Sequence, residues 1–460
     1  MTGRILRIEL RRSVAVGFAL LSLVVGTALL LSATGLFAGR WMQLAIATRT
    51  MLVVLWPLTL AAGAWLGRRD ARARVVELFA STARPRWQRV LPAAVALAAT
   101  VVTGYVLMFL IGTAWVVPSS RYFPVTALAV VAVGAVSLVA AGWLGMAAGR
   151  AMPRLITAPA LAVLGILVVG LLPDYVSSRN LVDPAADPDP AALLLNPAYG
   201  GSLHDFQTVA ARVNLTQLLW LAALAGTGLL LAAAASRRSV AVAVLPAVLG
   251  AGLAVPFLPA GGYDAAAVAD PGAVEPVCDD DGPQVCVARV HAALLPDVTG
   301  PARRVLAMMA AKLPDAPTRA IETSRVPDSG RAVRAGVSVR HAADTVVFDS
   351  PTIGSTGHAE FDDDFLSQLL EAPWRQECRD GRDDIDAYLF RLVAADWLAG
   401  QPLTPQDWWN PEERARAERA HQILTGLPEP EQRRRMAAAR DAALACRPGD
   451  LLPILTTGTP

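Results

Sequence analysis

The chain has 460 residues, 54% of them hydrophobic and 17% charged, with a mean hydropathy of +0.42. About a quarter of the residues of an ordinary soluble protein are charged, so the composition excludes that class for the chain as a whole. A formal net charge of +2, with no basic run interleaved with aromatics, excludes a nucleic-acid binder. The average hides a split: up to about Pro259 the chain alternates apolar runs with short basic breaks, and beyond it the composition is that of a soluble domain. A membrane half and a globular half follow. The expected fold class is a polytopic all-α membrane bundle of about seven spans (1–259), followed by a mostly helical α+β domain (260–460).

The N-terminus, with Arg4, Arg7, Arg11 and Arg12 among Ile5, Leu6, Ile8 and Leu10, reads as a short amphipathic segment at the membrane surface. The apolar run 14–37 is too long for the core of a cleaved signal peptide and reads as the first span. The second span is 50–67. It runs into the most basic interruption of this half, Arg68 to Val90, where Arg68, Arg69, Arg72, Arg74, Arg84, Arg86 and Arg89 face only Asp70 and Glu77. Such a segment stays cytoplasmic. Within it Val75, Val76, Leu78 and Phe79 form a short apolar helical face, either part of a solvated loop that sets topology or a surface that touches a cytoplasmic partner. Further spans are 91–117, 125–149, 155–173, 215–235 and 240–258. Between the fifth and sixth lies a polar loop with an acidic, proline-rich DPAADPDP stretch. The seventh run, interrupted by Pro246 and Pro256, spans fully or folds as a half-buried hairpin. Arg150, Arg154, Arg237 and Arg238 fall on the breaks that parity assigns to the inside, so every break agrees with one orientation: N-terminus cytoplasmic, C-terminal domain extracytoplasmic. Arginine supplies nearly all basic charge, Lys312 being the only lysine, and alanine is abundant, which points to a GC-rich bacterial genome and a bacterial plasma membrane.

With these bounds no span contains Asp, Glu, Lys, Arg or His, which weighs against a secondary transporter, an ion pump or an intramembrane protease. No GxxxxGK[ST] phosphate loop occurs, so the chain is not itself an ATPase. The second span running into AWLGRRDARARVVELFASTARPRWQR (Ala64 to Arg89), after an amphipathic N-terminus, resembles the permease subunit of ABC exporters of the type-2 drug and antibiotic export class found in actinobacteria. The resemblance covers roughly Met1 to Arg238. It implies that the 68–90 loop is the coupling helix, with Arg72, Arg74, Val76, Leu78 and Phe79 contacting a separate cytoplasmic ATPase subunit. The same resemblance implies a bilayer environment and pairing with a second copy or a second permease. Six spans are usual in that family; here a seventh and a large tail follow.

All four cysteines, Cys278, Cys286, Cys378 and Cys446, fall in the tail. An even set outside the cell reads as disulfides, Cys278 with Cys286 across a turn and Cys378 with Cys446; free buried thiols are the alternative, and the absence of CxxC disfavours zinc. Strands are expected over 285–290, 320–323, 335–340 and 345–348, and helices over 300–313, 364–371, 383–399, 411–424 and 429–446. His291, His341, His358 and His421 have no HExxH spacing, and there is no GxSxG. Ser355 and His358 with Asp362, Asp363 and Asp364 read as a polar loop and a helix N-terminus rather than a hydrolase. Asp279, Asp280 and Asp281 lack the spacing of a calcium loop. Trp408 and Trp409 read as packing for the last helices, and Asn214 sits in a glycosylation-like triplet without significance in a bacterial chain. No catalytic, cofactor or metal residues are assigned. The leading expectation is an exporter permease, and the other is a membrane-anchored receptor or assembly factor whose tail binds a partner outside.

Overall fold

A computed structural model describes residues 14–72, 85–172, 191–198, 203–259, 264–326, 333–334, 344–360, 363–375, 385–405 and 409–457. The chain divides into two compact units, the first formed by Met1–Pro118 with Phe123–Ala269 and the second by Ser119–Tyr122 with Asp270–Pro460. The division falls ten residues later than composition placed it. Residues 267–269 belong to unit 1 because they pair as a strand with residues 207–209 of that unit.

Unit 1 is helical: α1 (Val14–Leu31), α2 (Trp41–Thr50), α3 (Leu52–Gly67), α4 (Arg86–Gly112), α5 (Thr126–Ala151), α6 (Thr157–Ile166, extended by a wider turn over Leu167–Leu171), α7 (Ala211–Ala233) and α8 (Arg237–Ala254). Among the described residues a ribbon joins β1 (Gln207–Val209) to β2 (Ala267–Ala269), antiparallel. Among the described residues four helices are long and apolar enough to cross a membrane: Arg86–Trp115, Thr126–Ala151, Ala211–Ala233 and Arg237–Phe257. A fifth crossing is formed if α2 and α3, bent by 44° at Met51, count as one span. The apolar helices Val16–Leu31 and Thr157–Leu171 are shorter, roughly 22–24 Å at 1.5 Å per residue.

Two boundaries differ from expectation, and the seventh run, read as a span or a hairpin, takes the first form. The first helix ends at Leu31 instead of residue 37, and a 3-10 turn follows at Thr34–Leu36. The second expected span gains an unforeseen helix, α2, on its N-terminal side. The seventh run is one continuous helix through Pro246, not a hairpin. Proline removes a backbone donor and pushes the preceding turn away; here the Ala247 N–H donates to Thr227 Oγ1 of α7 at 3.0 Å, which gives that amide an interhelical acceptor.

α5 is the hub of unit 1. Gly63 and Gly67 of α3 meet Gly142 and Met146 of α5, while Gly145 and Gly149 of α5 meet Leu60 and Ala64 of α3. A Cβ on any of these four glycines would stand 2.1–2.2 Å from a facing carbonyl oxygen. The i, i+4 spacing of small residues therefore lets the two backbones touch, the arrangement that gives helix pairs dispersion contact without large side chains. Gly228 of α7 approaches Leu144 in the same way.

Unit 2 is α+β with helices predominant. Its sheet has the order β3 (Pro276–Asp279), β4 (Gln284–Ala288), β5 (Arg319–Glu322), β6 (Thr345–Phe348). The first pair is antiparallel and the other two are parallel, so α9 (Leu295–Lys312) is the crossover between β4 and β5. Among the described residues there follow α10 (Asp363–Glu371), α11 (Ile385–Ala399), α12 (Pro411–Gly426), α13 (Glu429–Leu444) and α14 (Leu451–Thr457). The core is aromatic and aliphatic. Phe348 stands edge-on to Phe365 at 6.0 Å and Trp374 edge-on to Phe390 at 6.2 Å, and the fully buried Trp374 indole donates to the Met436 carbonyl. The expected strand over 335–340 lies outside the described residues.

Candidate functional site

The arginine-bearing breaks of unit 1 meet at one end of the bundle. Arg68 closes α3; its side chain is buried, its guanidinium lies 4.1 Å from the Trp65 ring centre, and it donates to the Arg154 carbonyl at 3.3 Å. Arg72, one turn on and exposed, lies 5.5 Å from the same ring. Arg86, opening α4, donates to the Ala234 carbonyl at 2.9 Å, which follows α7 and precedes Arg237 and Arg238. The Ser236–Ser239 capping box then starts α8. Hydrogen bonds thus join the breaks after α3, after α5 and after α7. Stacking two guanidinium groups on one indole is favourable for each and holds like charges close, leaving a field that attracts anionic groups. Of the expected ATPase-contact residues, Arg72 is exposed at this end; Arg74, Val76, Leu78 and Phe79 lie outside the described residues.

The opposite end carries a polar network that the sequence reading missed. Arg40 pairs with Asp205 at 3.0 Å, and Gln43 donates to Asp205 at 2.9 Å and to the Leu203 carbonyl at 2.7 Å. Two turns further along α2 sits Arg49, fully buried. Its Nε donates to the Pro197 carbonyl at 2.8 Å and its Nη2 to Gln217 Oε1 at 2.6 Å, while the Gln217 amide donates to the Leu193 carbonyl. The absence of ionisable groups from the spans is therefore corrected: Arg49 lies one residue before the apolar run that begins at Thr50, and the helix containing it packs into the bundle. A buried cation is costly unless hydrogen-bonded, and the Pro197 carbonyl and the Gln217 amide oxygen are two of its acceptors. The usable signal was the spacing of Leu44, Ala45, Ile46 and Thr48, all buried, which extends a helical face back to Met42. Thr208 Oγ1 donates to Thr126 Oγ1 at 2.7 Å, and β1–β2 pairing adds a further tie at this end. Between α1, α3 and α4, a gap lined by Ser22, Thr59 and Tyr105 has a volume of about 10 Å³, room for roughly one water molecule.

In unit 2, Cys278 and Cys286 face each other directly across β3 and β4 and are disulfide-bonded. Cys378 lies outside the described residues, so the second expected bridge is not described; Cys446 is not a free thiol. The residues named for a hydrolase are described only in part. His358 Nδ1 lies 3.5 Å from Asp297, Asp362 and His341 lie outside the described residues, and Asp363 and Asp364 open α10. His291 is instead buried against Glu322, with Nδ1 2.6 Å from Oε1, and the other carboxylate oxygen accepts from the Ala288 N–H at 2.7 Å. Asp279 pairs with Arg303 at 2.9 Å and accepts from the Asp281 N–H, and these bonds hold its carboxyl below the usual range. Among the described residues no cluster of three metal-ligating side chains occurs. Trp409 is buried in the core, as packing requires, while Trp408 lies outside the described residues. Asn214 is buried in α7 with its amide toward the Val209 carbonyl, which leaves no room for a glycan.

His421 of α12 and Asp396 of α11 influence each other. Burial lowers the His421 pKa, with Asp396 opposing; burial raises that of Asp396, opposed by the hydrogen bond from the Thr404 N–H at 2.9 Å and by His421. Lys312 is pulled below the ordinary lysine value, chiefly by burial. No protein-family model, curated protein or solved structure matches this chain.

Proposed function

We propose that this chain is the membrane-spanning permease subunit of an ATP-driven exporter, worked by a separate cytoplasmic ATPase that docks on the 68–90 segment. The observation that carries the reading is the end of unit 1 where Arg68 bonds to Arg154 and Arg86 bonds to Ala234. A partner pressing on 68–90 would act on α3 and α4 directly and on the breaks flanking α5–α6 and α7–α8 through those bonds. Arginine excess supports a cytoplasmic position for this end. With α2 and α3 counted as one bent crossing and the two shorter helices included, seven crossings follow, and unit 2 stands outside, where a Cys278–Cys286 bridge persists. The narrow gap at Tyr105 fits a closed state, with ATP-driven tilting of the helices opening the path.

A second reading, a membrane-anchored receptor or assembly factor without transport, draws support from the separate core and sheet of unit 2. One experiment separates the two: affinity purification of the full chain from its native membrane, as wild type and as Leu78→Ala with Phe79→Ala at equal membrane levels. The exporter reading expects an ATPase to co-purify with wild type and to be lost from the double variant, since truncating a buried aromatic at an interface often costs about 2 kcal/mol or more. Equal recovery with both reduces 68–90 to a topology signal. Recovery with neither moves the receptor reading ahead.

A further inference from the structure

Unit 2 contains an open groove of about 680 Å³ between the C-terminal turn of α9 and one face of α13, a volume in the range of small-molecule sites. Alanines make much of its sides, Ala310 and Ala311 from α9 and Ala437 and Ala438 from α13, so those stretches of wall are apolar and short. The charges are placed unequally along its length. Lys312, Arg433 and Arg434 line it toward the start of α13, and Asp441 lies two turns further on, about 12 Å along the helix from Arg433. One end is therefore cationic and the other is not.

The walls are tied to a common frame. Trp397, near the end of α11, accepts at its carbonyl from Lys312 Nζ at 2.6 Å and donates through its indole N–H to Gln432 of α13 at 2.7 Å. At the far end Arg440 of α13 donates to the carbonyl of Asp315, the residue that turns the chain out of α9 with φ 51. A groove framed at both ends loses little freedom on binding. Burial disfavours the Lys312 charge, Glu429 favours it and Arg433 opposes it; an anion between Lys312 and Arg433 would add to what Glu429 supplies. The Arg433–Glu429 pair at the rim is solvent-exposed and Arg434 is exposed beside the half-buried Glu431, and an exposed pair is weak enough for a ligand to recruit the guanidinium group.

We propose that this groove is a binding site for an amphiphilic anion, its carboxylate or phosphate head between Lys312 and Arg433 and its short apolar body along the alanine walls toward Asp441. The proposal is independent of the transport reading. The full chain in nanodiscs of zwitterionic lipid, with empty nanodiscs as the blank, is titrated calorimetrically with hexanoate, hexyl phosphate and hexylammonium. Both anions should bind saturably, the tighter one identifying the preferred head, and hexylammonium should bind about tenfold more weakly or worse. Arg433→Glu should weaken the anions by about tenfold, whereas Arg433→Lys should stay within about threefold. Ala311→Trp, an exposed position on the opposite wall, should abolish binding by filling the groove while the thermal transition stays in place. Equal binding of all three probes, saturation by none, or unchanged affinity in Arg433→Glu overturns the site.

Discussion

The two units solve the same packing problem with opposite materials. Unit 1 holds α3 to α5 through glycines that bring backbone against backbone. Unit 2 packs large side chains, Trp374, Phe348 and Phe390, into a single cluster. Water drives apolar side chains together, so a domain in water gains most from large ones. Lipid tails are as apolar as leucine, and helices placed among them gain from close fit instead. The units also differ in how they hold a buried arginine. Arg49 of unit 1 is met by a carbonyl and an amide oxygen, while Arg391 of unit 2 lies 3.8 Å from the carboxylate of Glu371. A carboxylate brings its own desolvation cost, so removing the cation beside Glu371 and removing Arg49 should have different effects.

The largest effect is expected at the glycine seam. In Gly145→Leu the new Cβ would fall 2.1 Å from the Leu60 carbonyl oxygen. Backbone cannot rotate out of the way, so α3 and α5 must separate along their whole contact. The cost should exceed about 4 kcal/mol, enough to prevent accumulation of folded protein in membranes. Gly252→Leu is the control, because nothing lies within 4 Å of a Cβ there. Equal accumulation of both variants would mean that the seam does not hold unit 1 together.

Arg391→Met comes next. It takes away the cation beside a buried carboxylate, and breaking such a pair from one side costs about 3–5 kcal/mol. Arg49→Met removes donors from neutral acceptors and should cost less, about 1–3 kcal/mol. Denaturant or thermal unfolding of the full chain, followed by probes in each unit, ranks the two. If Arg49→Met proves the more damaging, the contacts of Arg49 are not the milder arrangement.

The apolar runs of unit 1 were legible because a long uncharged stretch has few alternatives to a buried or lipid-facing helix. α2 was not, since Arg40, Gln43 and Arg49 dilute its apolar signal and their partners lie about 150–170 residues away, at Pro197, Asp205 and Gln217. The four-residue spacing of Gly63 with Gly67 and of Gly145 with Gly149 is visible in the chain, but nothing local says that one pair meets the other. In unit 2 most helices and the strands at β4, β5 and β6 were readable from periodicity, and the Cys278–Cys286 pairing from the short turn between them. The parallel order of β4, β5 and β6 was not, because it depends on where the crossover α9 lays the next strand. The basic groove has the same origin: Lys312 and Arg433 are 121 positions apart in sequence, and only the packing of α9 near α13 makes them neighbours.

The smallest expected effect is a pH dependence in unit 2, where the half-buried His421 and Asp396 influence each other. His421 has a folded-state pKa below 6.5, so the unfolded chain takes up its proton more readily than the folded one. Stability from this group is therefore fully present above the unfolded value and is lost as pH falls through 6.5 toward the folded value. Asp396 runs the other way: its folded-state pKa lies above 3.8, and protonation at lower pH relieves a burial penalty, so stability rises as pH falls through that raised value. The histidine acts first on acidification. Between about pH 7.5 and 5.5, amide exchange in α11 and α12, corrected for intrinsic rates, should report a loss of protection in wild type that His421→Gln lacks. Asp396→Asn should steepen the loss, since it removes the charge that favours the protonated ring. An identical pH slope in wild type and His421→Gln would assign the loss to groups elsewhere and leave this pair without a part in it.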